Sequence, residues 1–171
     1  MHLSRFRSTR GRIERIVRKL DLPADWTAEE FLAAVEGYRN RPIRRLALPA
    51  NEEVPQLCGL WFECPSFDLI LHRPSAQRER EQFIVAHEVG HILVDPEGGT
   101  TLDLNPSELA ASLTGMDLAT HGIDVGQVAA ARGGGYERRS EYEAELFATL
   151  VMAKARPESV SPPRERFLRI F

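Results

Sequence analysis

The chain has 171 residues, 43% of them hydrophobic and 27% charged, with a formal net charge of −3. That is enough chain for one domain with a real core, and the near-neutral balance gives no global pull toward nucleic acid or a membrane. No apolar run has the length of a membrane-spanning helix, and the basic N-terminus leads into no signal-peptide core, so a cytoplasmic protein is expected.

Charge is uneven at the start, where Arg5, Arg7, Arg10, Arg12, Arg15, Arg18 and Lys19 face only Glu14. A solvated helix face is the expected role. A patch that touches nucleic acid or an acidic partner is the alternative. Thr9 is placed to cap a first helix whose stripe is Ile13, Ile16, Val17 and Leu20. A second helix has a fuller start signal. Thr27 and Glu30 spell a capping box, and Trp26 with Phe31 a hydrophobic staple, with Leu32, Val35 and Tyr38 continuing the inner face. Residues 1–40 therefore read as helical scaffold.

Residues 41–73 change to strand patterning. Ile43 to Pro49 is a candidate strand. Leu60–Glu63 and Phe67–Leu71 flank Cys64-Pro65-Ser66, which suits a hairpin. Cys58 and Cys64 are too far apart on one strand to bridge, so two free thiols are expected. His72, just after a strand, reads as structural, and Trp26, Trp61 and Phe62 as packing residues.

Ser75 is a plausible cap for a helix over residues 75–95, running from about Ala76 to Val94. It begins polar, with Arg78, Glu79, Arg80 and Glu81, and turns apolar through Phe83, Ile84, Ala86, Ile92 and Leu93. At that transition stands His87-Glu88-Val89-Gly90-His91, an H-E-x-x-H motif. Helical positions four apart share a face, so both imidazoles can grip one metal ion. Glu88 can then reach a water on that metal and act as general base. Asp95-Pro96 and Gly98-Gly99 end the helix.

Residues 97–136 read as an insertion with a short helix near Asn105–Gly115 and glycine-rich connections. A last helix covers residues 138–155, with Ala144, Phe147, Ala148 and Val151 on one side. Catalytic zinc generally takes three protein ligands, so a third is needed. His2, His72, His121 and the acidic residues of the last helix are the candidates. Glu143 shares the small, apolar side of that helix and is the expected third ligand. Glu141 and Glu145 lie away from the centre of that side or at its edge. Glu143 also completes a capping box with Ser140, and His121 is the runner-up ligand. Gly90 inside a helix implies close packing, best satisfied against Ala144 or Ala148.

The hairpin Gly59-Leu60-Trp61-Phe62, the strand Leu69-Ile70-Leu71, the run from Phe83 to His91 and Glu141-x-Glu143-Ala144-x-x-Phe147-Ala148-x-x-Val151-Met152 together resemble the ImmA/IrrE family of zinc metallopeptidases. The resemblance covers about residues 57–96 and 138–153. It implies a small gluzincin-like fold with His87, His91 and Glu143 on one zinc ion and Glu88 as general base. It also implies a protein substrate, a helix-turn-helix repressor or an antitoxin-like regulator. The chain departs from the family pattern in the 97–136 insertion and in Ala153, where family members often have proline; with the sequence ending soon after the last helix, no appended C-terminal sensor domain is expected.

The expected architecture is a single α+β, zincin-like domain over residues 1–171. A short antiparallel sheet packs on the H-E-x-x-H helix, and a C-terminal helix carries the third ligand. The expected activity is endopeptidase cleavage by a zinc-bound water, with Glu88 moving the proton. Tyr136, Tyr142, Arg138, Arg139 and His121 are candidates to steady the oxyanion, and Asp95 and Glu145 to orient the histidines. A zinc-containing module that inactivates a repressor by contact alone is the competing class. No membrane partner is expected, and direct nucleic-acid binding is disfavoured because no reading helix is recognisable.

Overall fold

The computed structural model describes residues 2–49, 58–94, 107, 113–124 and 138–154. Within them lie helices α1 (His2–Lys19), α2 (Ala28–Arg39), α3 (Arg78–Val94) and α4 (Arg138–Lys154). Strands β1 (Ile43–Ala47), β2 (Gly59–Glu63) and β3 (Asp68–His72) form one sheet in the order β1-β3-β2. The fold is mixed α+β. Among the described residues, no helix is long and apolar enough to cross a membrane.

Helix α2 starts where the local signals put it. The Thr27 hydroxyl accepts from the Glu30 backbone N–H at 3.1 Å, and the Glu30 carboxylate accepts from the Thr27 N–H at 2.7 Å. Trp26 stacks against Phe31 with ring centroids 5.1 Å apart, so the staple forms too. Tyr38, expected inside, is 42% exposed. Helix α1 begins at His2 rather than after Thr9, which lies within the helix. Its stripe Ile13, Val17 and Leu20 is buried as read.

The sheet is mixed, not antiparallel. β2 and β3 make the expected hairpin, but β1 pairs parallel to β3 with Ile43 opposite Asp68. The reason lies just before β1. Arg39 and Arg41 reach the buried Asp68 carboxylate at 2.8 and 3.2 Å, and Arg41 also donates to the carbonyls of Cys64 and Phe67. Entry into β1 is thereby fastened to the end of the hairpin where β3 begins, so the two strands set out in the same direction. The Trp61 indole N–H donates to the same Asp68 at 3.2 Å, which closes the cluster.

Side chains alternate across the sheet and divide the core in two. Trp61 and Ile70 face Val85, Ala86 and Val89 of α3, in a core that also holds Phe31, Phe147, Ala148 and Val151. Leu60, Phe62, Leu69 and Leu71 face the other way, onto Leu113, Leu118 and Ile123. Part of the stretch read as an insertion is thus core material, covering a sheet face that water would otherwise reach. Burying a leucine or isoleucine is worth about 1.5–3 kcal/mol, so this segment stabilises the sheet it covers.

Helix α3 is buried around most of its circumference. It lies between the sheet and α4 and packs principally on α4, which in turn packs on α1. Its first turn is at Arg78, two residues later than expected. The Ser75 hydroxyl instead accepts from the Gln77 N–H at 3.2 Å and shapes the approach to the helix. Both cysteines are free thiols, and burial, the largest influence, raises the pKa of Cys64.

Candidate metal centre

Helix geometry puts His87 and His91 one turn apart on α3, with ring centroids 4.8 Å apart and Nε2 atoms at 3.1 Å. The third group in the cluster comes from the first turn of α4, and it is Glu141. Its Oε2 lies 3.3 Å from His87 Nε2, and its Oε1 lies 3.5 Å from His91 Nε2. Four ligands at the 2.0–2.1 Å bond lengths of zinc sites, arranged tetrahedrally, stand about 3.3–3.4 Å from one another. The three observed separations straddle that spacing. His87, His91 and Glu141 are therefore a group able to hold a metal ion.

Glu143, the expected third ligand, is elsewhere. It is buried as the apolar side of the helix implied, but its Oε2 accepts from Arg12 Nη2 of α1 at 2.7 Å. The inward side of α4 is shared by two neighbours, and amphipathicity alone does not separate them. Residues 141, 144 and 148 recur at the i, i+3, i+7 spacing that lines one helix face. That is the face toward α3. Glu143 lies about 200° of helical arc from Glu141, so one rotation of α4 cannot bring both to the histidines. A pointer was present in the sequence: if Gly90 meets Ala144, the carboxylate one turn before Ala144 shares its face.

Two glycines make the geometry feasible. A Cβ placed on Gly90 would lie 2.8 Å from the Ala144 Cα and 2.9 Å from its carbonyl oxygen, so the two backbones touch as the helical glycine implied. A Cβ placed on Gly59 would lie 2.5 Å from Oε1 of Glu88 and 2.9 Å from its Cγ and Cδ. The bare start of β2 is the space that the Glu88 side chain fills. No local signal in the sequence marks Gly59 for this role.

Glu88 is 3% exposed and His91 fully buried, while Glu141 stands at the cleft edge with 22% of its side chain exposed. Burial alone pushes the His87 pKa down. The hydrogen bond to Glu141 and the charges of Glu88, Glu141 and Glu145 outweigh it and leave the value raised. Burial likewise pushes Glu141 up, and its hydrogen bond to His87 with the His91 and His87 charges brings it below the ordinary carboxylate value.

Among the described residues, the other histidine candidates fall outside the cluster. His72 is buried near Glu81, with 3.8 Å from Nδ1 to Oε1, and desolvation, helped by Arg45, lowers its pKa. His121 sits in a 3-10 turn, edge-on to Phe67 among the residues covering the far sheet face. Tyr142 follows Glu141 and is 46% exposed. His2, Arg138 and Arg139 belong to α1 and α4. Asp95 and Tyr136 lie outside the described residues.

Compared with family models, with curated proteins and with solved structures, the chain finds no match in any of the three.

Proposed function

We propose that this chain is a zinc-dependent endopeptidase that cuts a protein partner, with a helix-turn-helix repressor or antitoxin-like regulator as the favoured class. The observation that carries the reading is the buried carboxylate of Glu88 beside a His87–His91–Glu141 cluster of metal-site dimensions. A cluster serving structure alone has no use for a base one residue from its first ligand. The partner class rests on the resemblance of residues 57–96 and 138–153 to ImmA/IrrE metallopeptidases.

Two imidazoles and a carboxylate suit zinc and leave a position for water or substrate. Zinc held there supplies a Lewis acid and brings the pKa of a water to about 7. His87, His91 and Glu141 would hold it. Glu88 takes a proton from the attacking water on a carboxylate oxygen and returns it to the leaving amine. The wall formed by Gly59 orients that carboxylate, and burial keeps bulk water from competing for the proton.

The test is metal content and cleavage measured together. Purified wild type, Glu141→Gln, Glu143→Gln and Glu88→Gln are assayed for zinc by elemental analysis. They are also incubated with a denatured-proteome peptide library read by mass spectrometry. The expected result is zinc in wild type, Glu88→Gln and Glu143→Gln, its loss in Glu141→Gln, and new peptide termini with wild type that Glu88→Gln does not produce. Zinc without cleavage, with wild type and Glu88→Gln retaining the same partner, would replace the peptidase by a module that acts through contact.

A further inference from the structure

The contact between Gly90 and Ala144 sets how near α3 and α4 come, but a glycine against an alanine offers little to stop one helix rolling on the other. The buried Phe147, Ala148 and Val151 bias that roll, and a directional contact beside the ligands adds the choice of carboxylate, Glu141 or Glu143, that meets the histidines. We propose that Arg12 is a positioning residue for the metal centre, and that its guanidinium sets the roll of α4.

Three contacts define the device. Arg12 Nη1 donates to the Val94 carbonyl at 2.9 Å, and Nη2 donates to Glu143 Oε2 at 2.7 Å. Val94 is the last residue of α3, three past His91, and Glu143 is two past Glu141. One rigid, planar group therefore joins both metal-bearing helices within a turn of their ligands. A guanidinium suits this because its donors have fixed directions and bind two acceptors at once, whereas an ammonium is a single point charge. The Glu143 side chain is 5% exposed. It cannot turn to water, so the groups it meets in the interior set its direction, and removing Arg12 takes away a charged one at 2.7 Å. Holding Glu143 toward α1 turns the opposite arc of α4, and with it Glu141, toward α3. Arg12 thus leaves the solvated basic face to which the sequence assigned it.

The inference rests on the metal-site reading, and its test separates the two. Zinc affinity is measured by competition with a chromogenic chelator, and metal-free melting temperature is measured beside it. The proteins are wild type, Arg12→Met, Arg12→Lys, Glu143→Gln and the double variant Arg12→Met/Glu143→Gln. Arg12→Met and Arg12→Lys are expected to bind zinc roughly 10–100-fold more weakly, the range for losing a group that orients a ligand. Glu143→Gln, whose amide oxygen still accepts from Arg12, is expected within about threefold of wild type. The double variant removes the buried negative charge together with Arg12, so its melting temperature should rise back toward wild type while its zinc affinity stays low. A merely stabilising arginine predicts that both recover together, and that result overturns the proposal. So does wild-type affinity in Arg12→Lys. If wild type itself binds no zinc, the metal reading falls; if wild type binds and the Arg12 variants match it, only the role of Arg12 falls. Should Arg12→Met fail to fold, Arg12→Lys and the double variant carry the same comparison.

Discussion

Gly90 and Ala144 are in backbone contact, with room for no atom between them: a Cβ on Gly90 would stand 2.8 Å from the Ala144 Cα. Replacing Gly90 by alanine gains about 1 kcal/mol of helix propensity but overpacks a backbone that cannot yield, at a cost of about 1–3 kcal/mol. Gly90→Ala should therefore melt at or below the wild-type temperature and bind zinc roughly tenfold more weakly, because the helices must part. Gly37 in α2 is the control, with nothing within 4 Å of its would-be Cβ. Gly37→Ala should raise the melting temperature, reflecting about 0.5–1 kcal/mol. A stabilised Gly90→Ala protein with unchanged affinity would refute the close-approach argument.

Gly59 leaves Glu88 its space, and here the atoms that must move belong to a side chain, not to backbone. Gly59→Ala should consequently keep its fold and its zinc while Glu88 is displaced. Cleavage should drop by roughly 10²-fold or more, the scale of a lost general base. Zinc content and turnover measured on one preparation decide it, since loss of both together would point to a collapsed site instead.

The raised His87 value and the lowered Glu141 value give the metal-free protein a defined response to pH. A histidine whose folded pKa lies above its ordinary 6.5 contributes stability fully below that value, and loses it as pH rises through the raised one. A carboxylate whose folded pKa lies below 4.5 contributes above that value, and loses it as pH falls through the lowered one. The pair therefore supports the metal-free fold best between about pH 4.5 and 6.5. Zinc must displace the His87 proton, so its affinity should climb with pH until it has passed the raised value. Calorimetric titration in buffers of different ionisation enthalpy should show proton release near pH 6.5 that fades well above it. Affinity independent of pH across this range would remove His87 from the ligand set.

Asp68 is fully buried and ties Arg39, Arg41 and Trp61 to the start of β3. Asp68→Ala strands two arginines beside the hairpin and should cost about 3–5 kcal/mol, the range for breaking a buried ion pair from one side. Chemical denaturation gives the number. A cost below about 1 kcal/mol, the value of an exposed pair, would mean that the parallel pairing of β1 is held by other contacts.

The local elements were legible because their causes are local. A hydroxyl three residues before a glutamate satisfies two free N–H groups whatever the rest of the chain does, so the start of α2 could be read from Thr27 and Glu30. Two histidines four apart in a helix share a face by helix geometry alone, and Cys64-Pro65-Ser66 between two apolar runs turns the chain. Even a close approach of Gly90 to Ala144 or Ala148 was foreseeable, since a glycine inside a helix usually has a packing reason, and Ala144 is the one it meets.

What the sequence left open are the relations between elements. Periodicity sorts α4 into an inner and an outer side, but it cannot say that the inner side has two neighbours. Glu141 faces α3 and Glu143 faces α1 because Arg12, more than a hundred residues earlier, takes one of them. In the same way, β1 runs parallel to β3 because Arg39 and Arg41 find Asp68 across the chain. Leu113, Leu118 and Ile123 become core only because a sheet face needs covering. By itself the sequence determined the helix that carries the motif, with Glu88 and the two histidines on it, since these follow from backbone geometry within one turn. Only the tertiary structure decided which carboxylate completes the site, because that depends on how one helix is rolled against another by contacts remote in sequence.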